Sequence, residues 1–159
     1  MEDIELEQIV FDLRWNTGGN NYHLPWPFIR FMNDKLKPDQ KCWIVTGNPT
    51  FSAGIITAAY AQHTLGEKGR VVGEKIGDRM QFWADGGSGM PLPNSKISPR
   101  IWTAYSDWEN GCKDFSKCFW FTVFDSVAAG PLDLDTEISL RFEDYIRGKD
   151  SVLEYILSR

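Results

Sequence analysis

Two stretches decide the architecture: Ile9–Gly19, reading IVFDLRWNTGG, and Ile44–Gly54, reading IVTGNPTFSAG. In each, a short run rich in Ile and Val meets a turn of small residues, the pattern of a buried strand that stops at a tight turn. The first reads as a strand over Ile9–Leu13 ended by the Asn16–Gly19 turn. The second predicts a strand over Cys42–Thr46, a Gly47-Asn48-Pro49 loop, and an Ala-rich helix from Ser52 to Leu65 that ends at Gly66. Between them, Pro25 and Pro27 open a helix over Phe28–Leu36 with Phe28, Phe31, Met32 and Leu36 on one stripe, and Pro38 stops it. Val71 and Val72 sit in a third strand, followed by Gly73–Gly77. Strand, helix, strand, helix, strand is the order of an α/β layer joined by crossovers.

The second half has a different character. Asp85-Gly86-Gly87-Ser88-Gly89 and prolines 91, 93 and 99 mark a loop-rich stretch, with strands expected around Arg79–Trp83 and Ile97–Tyr105 and another over Phe119–Phe124. From Phe142 to Leu157 apolar residues recur at helical spacing (Tyr145, Val152, Leu153, Ile156 and Leu157), and Gly148 divides them into two short helices. No repeat, low-complexity tract or linker is visible, so residues 1–159 are read as a single domain.

Composition narrows the function. With 159 residues, 42% apolar and 25% charged, the chain is globular and long enough to bury a core. A net charge of −5 argues against nucleic acid, which needs clustered Lys and Arg to displace counterions, and favours a peptide or small-molecule partner. Seven Trp residues suit peptide contact, although the usual place for so large a side chain is the core. Cys42, Cys112 and Cys118 are odd in number and lack metal-site spacing, so no zinc site is expected and no disulfide framework can be read. MEDIELEQIV lacks the apolar segment of a signal peptide, and no run reaches membrane-spanning length. The chain is then either cytoplasmic or a piece of a longer protein.

Ser52 lies between a strand-end loop and a helix start. There a hydroxyl projects from the turn, and the free amides of the first helical turn can hold an oxyanion. The alternative is that Ser52, or its neighbour Thr50, caps the helix, the commoner role of such residues. Gly18-Gly19 poses a similar choice, since paired glycines let a backbone approach a ligand and equally serve plain turns. The pair is too short for a dinucleotide fingerprint and lacks the Lys-Ser/Thr sequel of a phosphate loop.

Four motifs in order carry a resemblance. DLRWNTGG (Asp12–Gly19) resembles the D-x-R-x-N-x-G-G motif of the tail-specific, or C-terminal processing, protease family, which includes the tricorn core. VTGNPTFSAG is similar to its T-x-S-A nucleophile segment, and VVGEKIGD to its V-G-E-x-T-x-G segment. LDTEISLRFEDYIRGKDSVLEYIL is similar to its closing strand, D-Y-x-x-G-K-D turn and terminal helix. The stretch from Met90 to Gly130 is poorly matched. The resemblance implies an α/β fold of the Clp protease and crotonase type, built of stacked strand-strand-helix units. It also implies a serine peptidase that needs no metal or organic cofactor. Ser52 would be the nucleophile, the amides of Gly19 and Ala53 the oxyanion hole, and Asp12, Arg14 and Asn16 the support of the glycine turn.

The general base is where the sequence departs from the family. Processing proteases place a lysine soon after V-G-E-x-T-x-G, a position that falls near Asp78 or Arg79 here. Arg79 stays protonated and cannot serve; Asp78 can accept a proton, and Lys75 lies nearby but earlier. Tricorn-like members use a histidine supplied ahead of D-x-R-x-N-x-G-G and a glutamate before the closing strand. Val127–Gly130 holds no glutamate, and Glu109 is a stand-in acid. Of the two histidines, His23 is nearer the glycine turn than His63. The base is therefore unidentified. It is supplied by a missing N-terminal half, by an unusual or intersubunit group, or not at all, leaving a catalytically silent peptide-binding relative. A crotonase-like acyl-thioester enzyme would share the fold without needing Ser52. An open sheet edge at the short N-terminus favours a homo-oligomer or pairing with another chain. The family is mostly extracytoplasmic, with cytosolic tricorn-type members, so the compartment is undecided.

Overall fold

The computed structural model describes residues 8–20 and 23–159. In chain order the elements are β1 (Ile9–Asp12), α1 (Pro25–Lys35), β2 (Cys42–Thr46), α2 (Ala53–Leu65), β3 (Gly69–Gly73), β4 (Gln81–Asp85), β5 (Ser88–Gly89), β6 (Arg100–Ile101), β7 (Ala104–Asp107), α3 (Trp120–Asp125), β8 (Thr136–Glu137), α4 (Phe142–Ile146) and α5 (Ser151–Leu157). The protein is a mixed α/β structure around one parallel sheet of four strands, ordered β1-β2-β3-β8. Phe11 pairs with Ile44, Ile44 with Val71, and Val72 with Thr136. Each strand lies beside its predecessor, so every crossover runs the same way across the sheet. Crossovers of one hand then stack their helices on one face.

Strand β2 shows how the layers form. All five of its residues are buried. Cys42 and Ile44 join Ile29 of α1 and Ile55 and Ala58 of α2, whereas Trp43 and Val45 join Val72, Val152 and Ile156 on the other face. Alternating side chains thus divide two apolar layers between α1 and α2 on one side and α5 on the other. Helix α2 is buried from Ala53 to Ala61 and again at Leu65, because it lies between the sheet and the excursion that links β3 to β8. That excursion carries two antiparallel pairs, β4 with β7 and β5 with β6, and sends Phe82 and Trp108 into the core beneath α2.

Several expectations change. Helix α1 begins at Pro25, three residues early, and buries Trp26, Ile29 and Met32, while Phe28 and Phe31 are exposed. Stacking of Trp26 on Tyr60, with ring centroids 4.5 Å apart, sets this face inward. The strand expected at Phe119–Phe124 is helix α3. There the Thr122 amide donates to the Phe119 carbonyl at 2.9 Å and its hydroxyl donates to the same oxygen at 2.8 Å, so local bonds override the aromatic run's strand preference. The strand expected over Ile97–Tyr105 breaks in two at Trp102-Thr103, where pairing passes from β5 to β4. The strand placed at Arg79–Trp83 runs instead from Gln81 to Asp85.

Of the seven Trp residues, Trp26, Trp43 and Trp108 are buried and Trp15, Trp83, Trp102 and Trp120 are exposed, so they are not mainly core fillers. Cys112 and Cys118 form a disulfide with Cα atoms 6.0 Å apart, which the odd cysteine count concealed. Gly148, at φ +66°, separates α4 from α5 as expected. No helix among the described residues is long and apolar enough to cross a membrane.

Candidate active site

Because β1 and β2 are parallel neighbours, their C-terminal ends open side by side, the usual place for a site in such sheets. The two loops that follow are tied together. Fully buried Thr50 accepts a hydrogen bond from the Gly47 amide at 3.0 Å and donates to the Leu13 carbonyl at 2.8 Å. The Phe51 amide donates to the Asn16 carbonyl at 3.0 Å, and the Gly18 amide to the Asn16 side-chain oxygen at 3.1 Å. Asn16 therefore shapes its own glycine turn and fastens it to the loop carrying Ser52. Two glycines make the approach sterically feasible. A Cβ on Gly54 would lie 2.5 Å from the Asn16 carbonyl oxygen. One on Gly18, at φ +117°, would lie 2.8 Å from the Ser52 Cβ.

Ser52 itself stands at φ 49° and ψ −113°, a left-handed conformation that costs a non-glycine residue about 1–3 kcal/mol. Ser52 is the last residue of the loop, 47–52, that joins β2 to α2. Its hydroxyl makes no capping hydrogen bond to α2, and Thr50 is spent on the loops, so the capping reading of either residue does not hold. Among the described residues, neither the Gly19 nor the Ala53 amide donates a backbone hydrogen bond. The Ser52 hydroxyl and two amides with no backbone acceptor among the described residues thus lie where β1, β2 and the start of α2 meet.

A cavity of about 220 Å³ adjoins Ser52, with Gly19, Phe51, Trp83, Asp85 and Trp102 in its wall. The last three come from the excursion, which folds back over the C-terminal edge of the sheet. Asp85 escaped the sequence reading because its only local signal was the glycine-rich turn after it. It arrives through a β-bulge: Trp83 pairs with Tyr105 and Asp85 with Ala104, leaving Ala84 as the extra residue. Burial raises the Asp85 carboxyl above its ordinary pKa, and the side chain makes no hydrogen bond or ion pair to any described residue, Ser52 included.

The candidate bases lie elsewhere. Lys75 and Asp78 line a separate cavity of about 490 Å³ together with Glu109, whose carboxylate accepts a 2.8 Å hydrogen bond from Gln81. Asp78 accepts from the amide of Arg79 at 2.8 Å. The loop after β3 is drawn to that side by the Gly77 amide, which donates to the Asn48 carbonyl at 3.0 Å. His23 borders a third cavity, with Trp26, Arg30 and Phe121, and His63 is exposed on α2. No group of three or more His, Cys, Asp or Glu residues that could hold a metal occurs among the described residues. The Cys42 thiol is pushed up to about 12 by burial in the core and is not a nucleophile.

Behind the glycine turn lies an ionic clamp. The buried Arg14 guanidinium contacts the Asp12 carboxylate at 2.6 Å and that of Asp150 at 2.7 Å. Hydrogen bonds from Arg14 hold both carboxyls below their ordinary pKa. Asp150 also caps α5, accepting from the amides of Val152 and Leu153 at 3.1 Å. The clamp therefore joins the two ends of the described chain across the base of the site. No protein-family model matches this chain, and a search of curated proteins found no match.

Proposed function

We propose that this chain is a serine peptidase-like domain of the tail-specific protease type, with a Clp protease/crotonase-like fold. It cleaves peptide bonds by acyl transfer through Ser52. The observation that carries the reading is the strained backbone of Ser52, whose hydroxyl is committed to no cap and faces the Gly18-Gly19 turn. Strain of this kind persists where surrounding contacts over-determine it, and such positions cluster at active sites. In this mechanism the Ser52 oxygen adds to the substrate carbonyl carbon, and the oxyanion takes hydrogen bonds from the Gly19 and Ala53 amides. A general base, not assigned to any residue of this chain, takes the Ser52 proton and passes it to the leaving nitrogen. The C–N bond then breaks and water releases the acyl group. Each preorganised amide contributes about 3 kcal/mol in the transition state. Asp12, Arg14 and Asn16 keep the turn in place, and the chemistry requires no metal or organic cofactor. The one-way order of neighbouring parallel strands supports the fold assignment.

A second reading has its own support: neither Lys75, Asp78 nor His23 lines the Ser52 cavity, which favours a silent peptide-binding relative. Fluorophosphonate labelling with peptide mapping separates the two. Labelling at Ser52 that disappears in Ser52→Ala is the expected result. A chain that stays unlabelled under conditions that saturate a control serine hydrolase, yet still binds peptides, belongs to the second reading.

A further inference from the structure

The cavity beside Ser52 has an unusual wall. Its polar backbone edge comes from Thr17, Gly19 and Asn20, but its excursion side joins two half-exposed indoles, Trp83 and Trp102, to the carboxylate of Asp85. Asp85 is the only charged residue among the described residues that line it, and it has no partner there. An unpaired carboxylate between aromatic surfaces is the chemistry that recognises an organic cation. The carboxylate supplies the opposite charge, and the indole faces attract the cation through their quadrupoles while excluding water. Trp102 already holds such a cation of its own chain: the Arg100 guanidinium stacks over its ring with Cζ 4.5 Å from the centroid, outside the cavity wall.

The position of the carboxylate is built rather than incidental. Alternation along β4 turns Phe82 and Ala84 toward the core and leaves Trp83 and Asp85 on the opposite side, where both meet the cavity. The Asp85 carbonyl is meanwhile fixed by the Thr103 amide at 3.1 Å, so the acid at the end of β4 is held beside the short link between β6 and β7 that carries Trp102.

From this arrangement we infer that the Ser52 cavity is a specificity pocket for a cationic side chain, Lys or Arg of a peptide, with Asp85 as its counter-ion and Trp83 and Trp102 as its walls. The inference builds on the proposed peptide site by naming its substrate class. Asp85 is assigned to the ligand's charge and not to the Ser52 proton, since the two side chains share no hydrogen bond.

Binding is measured by calorimetry on the Ser52→Ala chain, with the probes acetyl-Ala-Ala-Arg-Ala-Ala-amide and its citrulline counterpart, which matches Arg in shape without the charge. The Arg peptide is expected to bind about tenfold more tightly, and Asp85→Asn should reduce that ratio to about twofold or less. Trp102→Leu provides a second route and should weaken the Arg peptide about threefold while leaving the citrulline peptide closer to its original affinity. Equal affinity for the two peptides, no binding of either, or a preference that survives Asp85→Asn overturns the inference. Loss of fluorophosphonate labelling in an Asp85→Asn chain that retains Ser52 also overturns it, because Asp85 would then serve the nucleophile. The two claims fail separately. A chain labelled at Ser52 without an Arg preference keeps the peptidase and loses the pocket. An unlabelled chain with the preference loses hydrolysis and keeps the pocket.

Discussion

Gly18 bears most directly on Ser52. Its φ of +117° is open to glycine and strained for any other residue, and an added Cβ would press on the Ser52 Cβ from 2.8 Å. Gly18→Ala is therefore expected to slow labelling of Ser52 by at least about tenfold and to lower stability by about 1–3 kcal/mol, measured by fluorophosphonate kinetics and urea denaturation. Unchanged labelling would mean that the turn does not position the serine. At this scale the sequence was partly legible. Asn16, Gly18, Gly19 and Ser52 fall on recognisable motifs because their conformations are demanded by adjacent residues. Asp85 was not legible, since its role depends on a strand that returns from elsewhere, and Asp78 and Lys75 were drawn toward the site only by their place near the VVGEKIGD segment, where the resembled family carries its lysine.

Among the elements, those with strong local signals appear nearly where they were expected: β2, α2 and the pair α4 and α5 divided at Gly148. The excursion between β3 and β8 was less readable. Its aromatics at Phe119–Phe124 favour a strand by composition, but Trp120 and Phe124 face solvent, and the segment closes into a helical turn beside the Cys112–Cys118 loop. That loop grips β7: the Tyr105 amide donates to the Lys117 carbonyl and the Phe119 amide to the Tyr105 carbonyl, both at 2.8 Å. Cys118→Ser should destabilise the protein by about 2 kcal/mol, in keeping with the short closed loop, as read from urea denaturation under non-reducing conditions. Since β7 pairs with β4, the same variant should also weaken the Arg-peptide preference. Native stability unchanged by the substitution would count against a structural bridge.

Across the whole molecule, Arg14 ties β1 to the start of α5 and so closes the sheet's second face beneath Val152 and Ile156. Asp12 and Asp150 both have folded pKa values depressed below the ordinary 3.8, first through hydrogen bonds from Arg14. A depressed carboxyl stabilises the fold fully above its unfolded pKa, and that contribution disappears as pH falls through the folded value. Stability should therefore hold down to about pH 4 and drop below it. Arg14→Met should cost about 2–3 kcal/mol at pH 7 and flatten the acid dependence, because two carboxylates lose the partner that kept them charged. Urea titrations from pH 7 to pH 2 on both chains test this; parallel curves would show that the clamp is not the acid-sensitive element.

The sequence by itself determined the α/β character, the buried parallel strands and the serine at a strand-to-helix turn, because each follows from apolar periodicity and local backbone demands within a few residues. Tertiary structure alone decided which face of α1 is buried, that Cys112 joins Cys118, and that Asp85 rather than Asp78 or Lys75 shares a cavity with Ser52. Those outcomes depend on contacts between segments far apart in the chain, where the geometry of pairing and packing selects among side chains that local preference leaves equivalent.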